Sequence, residues 1–288
     1  MANLKELRSR ISSVSSTMQI TSAMKMVSAA KLSKAQDAIV KMRPYSQKLT
    51  ELIQNLSSTA EDDMGSALTE QREVNNVLIV AISSNRGLAG AFNSNIIKKV
   101  KHLIAEDYQN QKVEVLTLGK KANDILKKTE TIFEHNQHIF DDLSFNNSVE
   151  ISKTLMTVFE QKQFDKVVIV YNHFKNAATQ HVVAEDFLPL VPPQEEDYGL
   201  SQTDYIFEPQ KDEILKELMP KALNIQLFKA LRDSFASEHG ARMTAMHKAT
   251  ENATELRDGL KLTYNKARQA AITNEILEIV AGAEALNG

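Results

Sequence analysis

From the first residues, apolar side chains recur at alternating steps of three and four: Leu4, Leu7, Ile11, Val14 and Met18. The same phase resumes at Leu32, Ala35, Ile39, Met42, Leu49, Ile53 and Leu56. This spacing predicts one long helix with a coiled-coil seam, broken only at Thr21, Lys25, Ser28 and Ser46. Over about 54 residues such a helix runs roughly 80 Å. Pro44 removes one backbone donor, but the seam keeps its phase across it, so a kink is expected and not an end. Three of the four breaks are consecutive core positions. There a second stripe, Ile20, Met24 and Val27, is expected to supply the apolar face instead. That window is therefore expected to touch something besides its coiled-coil mate, the alternative being a local packing defect.

The period changes after residue 74. Val77–Ile82 is a continuous apolar run, which reads as a buried parallel strand. A helix is expected at about 93–106, a strand at 113–118, a helix at 120–127, a short strand at 131–134 and a helix at 148–161. Strands at 166–171 and 180–188 follow, the last pair as a hairpin, and a tract from Pro189 to Pro209 carries Tyr198, Tyr205, Ile206 and Phe207. Alternating strands and helices imply an α/β sheet covered on both faces, Rossmann-like in plan. The chain is helical again from 211, with heptad spacing in Met246, Ala249, Ala253, Leu256, Leu260, Ala267, Ala270, Leu277 and Ala281. Its end, 272–286, is apolar around much of its circumference and must be buried somewhere. It outreaches the first helix by roughly 20 Å at 1.5 Å per residue, implying a socket in another protein. The expected fold is α/β: an antiparallel coiled coil of terminal helices, 1–60 and 211–288, with an inserted α/β domain at 74–208.

Composition sharpens this. Of 288 residues only 9 are glycine and 6 proline, and five of the prolines lie between 189 and 220. With chain breakers so scarce outside that window, long uninterrupted helices are expected. There is no cysteine, which excludes a disulfide scaffold, thiol catalysis and cysteine-ligated metal. The formal charge of −3 conceals segregation: residues 1–60 hold nine basic and three acidic side chains, whereas 61–210 hold 14 and 23. A basic first helix points either to an acidic partner surface or to a solvated face. No apolar run is long enough to cross a bilayer, and no secretory leader is visible.

Candidate chemistry is sparse. Ser83–Asn93 follows the first strand and opens a helix around Gly87 and Gly90, but it lacks a Walker lysine or GxGxxG, so the glycines read as turn-formers. His135 and His138 stand near Asp141 and Asp142 without a closed ligand set, and no metal or cofactor is expected. No Ser/His/Asp or paired-carboxylate constellation stands out.

Two windows carry a family resemblance: Ile20–Leu32, with Met24 and Lys25 at its centre, and Tyr264–Ala283. Both resemble the gamma-subunit family of F-type ATP synthases, the central rotor stalk. The Ile-Thr-x-Glu-x-x-Glu-x-x-x-Gly-Ala pattern at 272–283 is the most specific part. Arg86-Gly87-Leu88-Ala89-Gly90 and Tyr205-Ile206-Phe207-Glu208-Pro209 also resemble family positions, and the likeness covers essentially the whole chain.

The resemblance implies a non-catalytic shaft whose coiled coil turns inside a hexameric head of catalytic and non-catalytic subunits. The knob would rest on the membrane rotor ring beside an epsilon subunit. It implies partner contacts at Met24, Lys25, Arg242, Arg268, Gln269, Thr273, Glu275 and Glu278, with Arg268 and Gln269 on an acidic catch loop. Tyr205 and Glu208 would lie at the foot, near the ring. No nucleic-acid partner is implied. The absence of cysteine excludes the redox switch of chloroplast relatives, and no mitochondrial leader is evident. The expected place is the cytoplasmic face of a bacterial inner membrane. The alternatives are a nucleotide-binding α/β enzyme with helical arms, or a coiled-coil scaffold.

Overall fold

The computed structural model describes residues 4–57, 67–177, 179–190 and 211–287. It divides into two compact units, Met1–Ser28 with Met243–Gly288, and Ala29–Arg242. Helices α1 (Leu4–Ser57) and α5 (Lys211–Asn287) contribute to both. Neither helix ends at its proline, since Pro44 and Pro220 both lie inside helical spans.

The unit Ala29–Arg242 holds a five-stranded sheet in the order β3-β2-β1-β4-β5. The strands are β1 (Asn76–Ile82), β2 (Lys112–Leu118), β3 (Ile132–Asn136), β4 (Lys166–Phe174) and β5 (Gln180–Leu188). The first four run parallel, while β5 pairs antiparallel with β4, giving the expected hairpin. Six consecutive residues of β1, Val77–Ile82, are wholly buried, because helices cover both faces of the central strand. On one face, Val77, Ile79 and Ala81 pack with Ile96, Ile97 and Val100 of α2 (Phe92–His102) and with Ala122 and Leu126 of α3 (Lys120–Leu126). On the other, Leu78, Val80 and Ile82 pack with Leu155 and Phe159 of α4 (Phe145–Glu160) and with Leu223, Leu227 and Leu231 of α5. The early part of α5 is thus a layer of the α/β fold. In the same unit α1 buries Leu32, Ala35 and Ile39, and sets Leu49 against Ile225.

Element boundaries shift for local reasons. The helix expected at 93–106 is α-helical only to His102 and then widens into a π turn, Leu103–Asp107. That turn, closed by the Tyr108 N–H on the Leu103 carbonyl, brings Leu103, Ile104 and Tyr108 into one core. α4 begins three residues earlier than its apolar pattern, because Ser144 caps it by accepting from the Asn147 N–H at 3.4 Å. The Asp165 carboxylate accepts from the Asn75 and Asn76 N–H groups at 3.0 and 2.8 Å, tying the start of β1 beside β4.

In the other unit, α1 and α5 run antiparallel. Each seam position of α1 described there is buried or half-buried: Leu4, Leu7, Ile11, Val14, Met18, Thr21, Lys25 and Ser28. The expected change of face does not occur within the chain. Ile20 and Val27 are 60% and 58% exposed, and the polar breaks stay inward because they find partners. The α5 seam is also corrected. Leu256 is 55% exposed, and the inward positions include Thr250, Arg257 and Tyr264.

At the end of β2, Gly119 has φ of 103°, and a Cβ there would lie 2.3 Å from the Ser83 carbonyl oxygen. Gly119→Ala is expected to destabilise this unit by about 2 kcal/mol or more, combining backbone strain with a steric clash. A thermal melt of the variant checks this, with a preserved midpoint as the contrary result.

Candidate interaction surfaces

Three surfaces collect the residues of interest. The first is the paired part of α1 and α5. Four cross-helix contacts mark its register: Arg8 donates to the Tyr264 hydroxyl at 2.8 Å, Arg257 reaches the Met18 sulfur at 3.3 Å, Thr21 and Thr250 share a hydrogen bond at 2.8 Å, and Lys25 Nζ lies 3.3 Å from His247 Nδ1. The seam thus carries a series of polar layers, which fix register where a purely apolar face would slide. Ser28 donates to the Met24 carbonyl at 2.8 Å. Met24 and Lys25 are half-buried, and beside them Ile20, Met26 and Val27 turn an apolar strip outward.

The second surface is the end of α5. From Arg268 to Ala285 each residue is exposed, so Arg268, Gln269, Thr273, Glu275 and Glu278 all stand free of α1. Ile272, Ile276, Leu277, Ile279 and Val280, exposed by 45–66%, share that span. These side chains cover the helix on several sides, the pattern of a segment that is buried only in company.

The third surface lies in the other unit, where α5 presents a run of buried polar residues: Asp233, Ser234, Ser237, Glu238, His239 and Arg242. Ser237 donates to the Asn172 carbonyl at 2.9 Å, and Asp233 meets His173 at 2.7 Å. Arg242 is not at the surface. It is 6% exposed, pairs with Glu238 at 2.6 Å, and donates to the carbonyls of Arg86 and Gly87 at 3.2 and 3.3 Å. Burial pushes the Glu238 carboxyl up, against the pull of Arg242. Burial, then the cations of Arg242 and Lys31, push His239 down to about 4. Periodicity gave no sign of this patch, since polar residues on a helix read as a solvated face.

The 83–93 turn is wired into the same unit. Ser84 donates to the Arg86 carbonyl at 2.7 Å, its N–H meets Asn93 Oδ1 at 3.0 Å, and Asn85 donates to the Gln137 carbonyl at 2.8 Å. The Ser84, Asn85 and Asn93 side chains are thus engaged in shaping the turn, while Arg86 and Leu88 are exposed. His135 bonds to Thr117 at 3.0 Å and His138 to Asp141 at 3.1 Å, on separate partners. Among the described residues no group of three or more His, Asp and Glu is arranged to hold a metal. Tyr205 and Glu208 lie outside the described residues.

Comparison with known proteins places the whole chain. The family model described as ATP synthase matches residues 3–286. The ATP synthase gamma chain of Christiangramia forsetii is 69% identical over 288 residues, covering 100% of both chains. Two solved structures of the Euglena gracilis mitochondrial ATP synthase share the fold. One, of its rotor, has a TM-score of 0.66 at 24% identity over 93% of this chain and 98% of that one. The other, of its OSCP, F1 and c-ring, has a TM-score of 0.69 at 22% identity over 98% and 94%.

The buried histidine gives a pH signature. With a folded value near 4 against about 6.5 when unfolded, His239 binds its proton more readily in the unfolded chain, so its contribution to stability falls as pH drops between those values. The loss reaches as much as ~3 kcal/mol. Glu238, shifted upward, works in the opposite sense over part of that window. His239→Gln is therefore expected to flatten the fall in urea midpoint from pH 7 to pH 4.5. An unchanged slope would show that the histidine titrates normally.

Proposed function

The chain belongs to the ATP synthase gamma-chain family, and from that premise we propose that it is the central shaft of the complex, carrying torque between a membrane rotor ring and the catalytic head. It forms and breaks no bond itself. ATP is made on its partners, and the shaft biases their conformations by presenting different side chains at each angle. In this way it sets both catalytic activity and proton flow.

One observation carries this reading: α5 continues past the last residue α1 can cover, as a bare helix with apolar side chains on several sides. Such an end requires a sleeve. In the assembled complex Ile272, Ile276 and Ile279 turn against the apolar lining of the head, while Thr273, Glu275 and Glu278 meet its polar groups. Arg268 and Gln269, at the boundary between the paired and bare parts of α5, hydrogen-bond an acidic loop of a catalytic subunit. Met24 and Lys25 face the same head through the outward strip of α1. Tyr205 and Glu208 belong to the foot, beside the ring and the epsilon subunit. Among the described residues no helix is long and apolar enough to cross a membrane, which fits a peripheral subunit held at the cytoplasmic face of a bacterial membrane through its ring contact.

Co-expression with the other subunits tests the role. A probe fixed to this chain should rotate when the purified complex hydrolyses ATP; a complex that pumps protons while the probe stays still would overturn it. Met24→Lys provides a finer test. It sets a second cation beside Lys25 in a half-buried position, and should leave assembly intact while lowering protons pumped per ATP by roughly fivefold, the low end of site-to-site coupling. Pumping and hydrolysis measured on the same vesicles give the ratio, and a wild-type value removes Met24 from the contact.

A further inference from the structure

Of the seven histidines in the chain, most stand singly. His102, His138 and His247 each meet one carboxylate, at 2.9, 3.1 and 3.4 Å. His135 bonds to Thr117, and His239 is buried. His173 and His181 differ. They are directly opposed in the antiparallel pair of β4 and β5. Opposed residues on one face of such a pair hold their Cβ atoms about 4.5–5.5 Å apart. Their neighbours two positions away fix which face this is. Tyr171 and Val183, also opposed, pack against the core that includes Leu227 and Leu231 of α5. Both imidazoles therefore stand on the α5 side of the hairpin, and both residues are exposed.

The His173 ring is held from behind. Its Nδ1 lies 2.7 Å from the carboxylate of Asp233, whose side chain is only 4% exposed. A neutral imidazole so placed donates through Nδ1 and keeps the lone pair of Nε2 for another partner. A carboxylate behind one ring nitrogen is also what orients a metal-bound histidine and raises its basicity. His181 makes no hydrogen bond or ion pair among the described residues, so its ring is free to turn toward that lone pair.

We propose that His173 and His181 form a two-histidine site for a divalent transition ion that favours imidazole, Zn²⁺ or Cu²⁺, with water in the remaining positions and Asp233 as the positioning residue behind His173. The spacing suits one shared ion. Two histidines a turn apart on a helix, with Cβ atoms about 5–6 Å apart, share a zinc in the H-E-x-x-H motif, and opposed strand positions stand at least as close. Two nitrogen ligands select this class of ion over Mg²⁺ and Ca²⁺, which take oxygen. Asp233 serves the ring and not the ion, in accord with the lack of any three-group ligand set among the described residues. A bound ion joins β4 to β5 near the free end of the hairpin, where the pairing closes at Phe174 and Gln180. The site lies within the unit Ala29–Arg242 and does not depend on the shaft reading.

The test uses the full-length chain, stripped of trace metal and titrated with zinc chloride by calorimetry. One ion per chain should bind. Asp233→Asn should weaken binding about tenfold, the low end for loss of an outer-shell partner, and His173→Gln and His181→Gln should each cost more than that. His102→Gln should change nothing. Both site histidines are exposed, so their substitution leaves the fold intact. With Cu²⁺, electron paramagnetic resonance should count two equatorial nitrogens in the wild type and one in each site variant. An unchanged affinity in His181→Gln, or an equal loss in His102→Gln, places the ion elsewhere and overturns the site. The role of Asp233 is read on the wild type as well, whatever the folding of its variant. In ¹⁵N spectra of the zinc-loaded chain His173 should stay protonated on Nδ1 with the metal on Nε2, and zinc on Nδ1 overturns that role.

Discussion

The apolar stripe of a 77-residue helix needs cover along its whole length, and the rest of the structure is organised by how α5 obtains it. Leu223, Leu227 and Leu231 take cover from the sheet, becoming part of an α/β core. Ile225, facing elsewhere on the same turns, takes it from Leu49 of α1. Met246 and Ala253 are buried in the paired unit, and beyond Ala267 no described residue covers the helix as far as Ala285. Few chain breakers are tolerated along such a path. Pro220 sits where the sheet fixes the helix, and Gly240 is the one α5 glycine with a packing reason, since a Cβ there would lie 3.3 Å from the Ala177 backbone.

The cover is unequal in kind. The sheet supplies close-packed aliphatic side chains and gives depth. The α1 seam supplies alternating apolar and polar layers and gives register. The hydrogen bond between Thr21 and Thr250 adds little net free energy, since each hydroxyl also bonds a carbonyl of its own helix, at Met18 and Met246, but sliding the helices by one turn would lose the pairing and set each threonine against a different neighbour. Arg257 and Tyr264 occupy inward positions by laying their apolar stems along the seam and turning their polar tips to Met18 and Arg8.

These particulars explain what the sequence made legible. β1 was plain because a strand buried on both faces must be continuously apolar, and α1 was plain because a seam repeats. Periodicity failed where side chains are amphipathic: it put Leu256 inward, where the structure puts Arg257. It also took the polar breaks of α1 for a change of face, because hydropathy carries no information about a partner 229 residues away. The bare end of α5 was legible in both pattern and motif. The link from Arg242 to the 86–87 carbonyls was not, since it joins residues 155 and 156 positions apart through backbone atoms that any sequence possesses.

The uncovered end of α5 bears on the life of the chain before assembly. A helical segment of under twenty residues holds its shape in water only marginally, so its order is borrowed from whatever encloses it. If the head encloses it, as proposed, docking and the ordering of that last stretch are one equilibrium, and the affinity for the head includes the entropy of that ordering. A copy without partners turns that apolar stretch of helix to water. Exposed apolar surface of that kind favours self-association, so prompt assembly protects the chain as well as completing the complex.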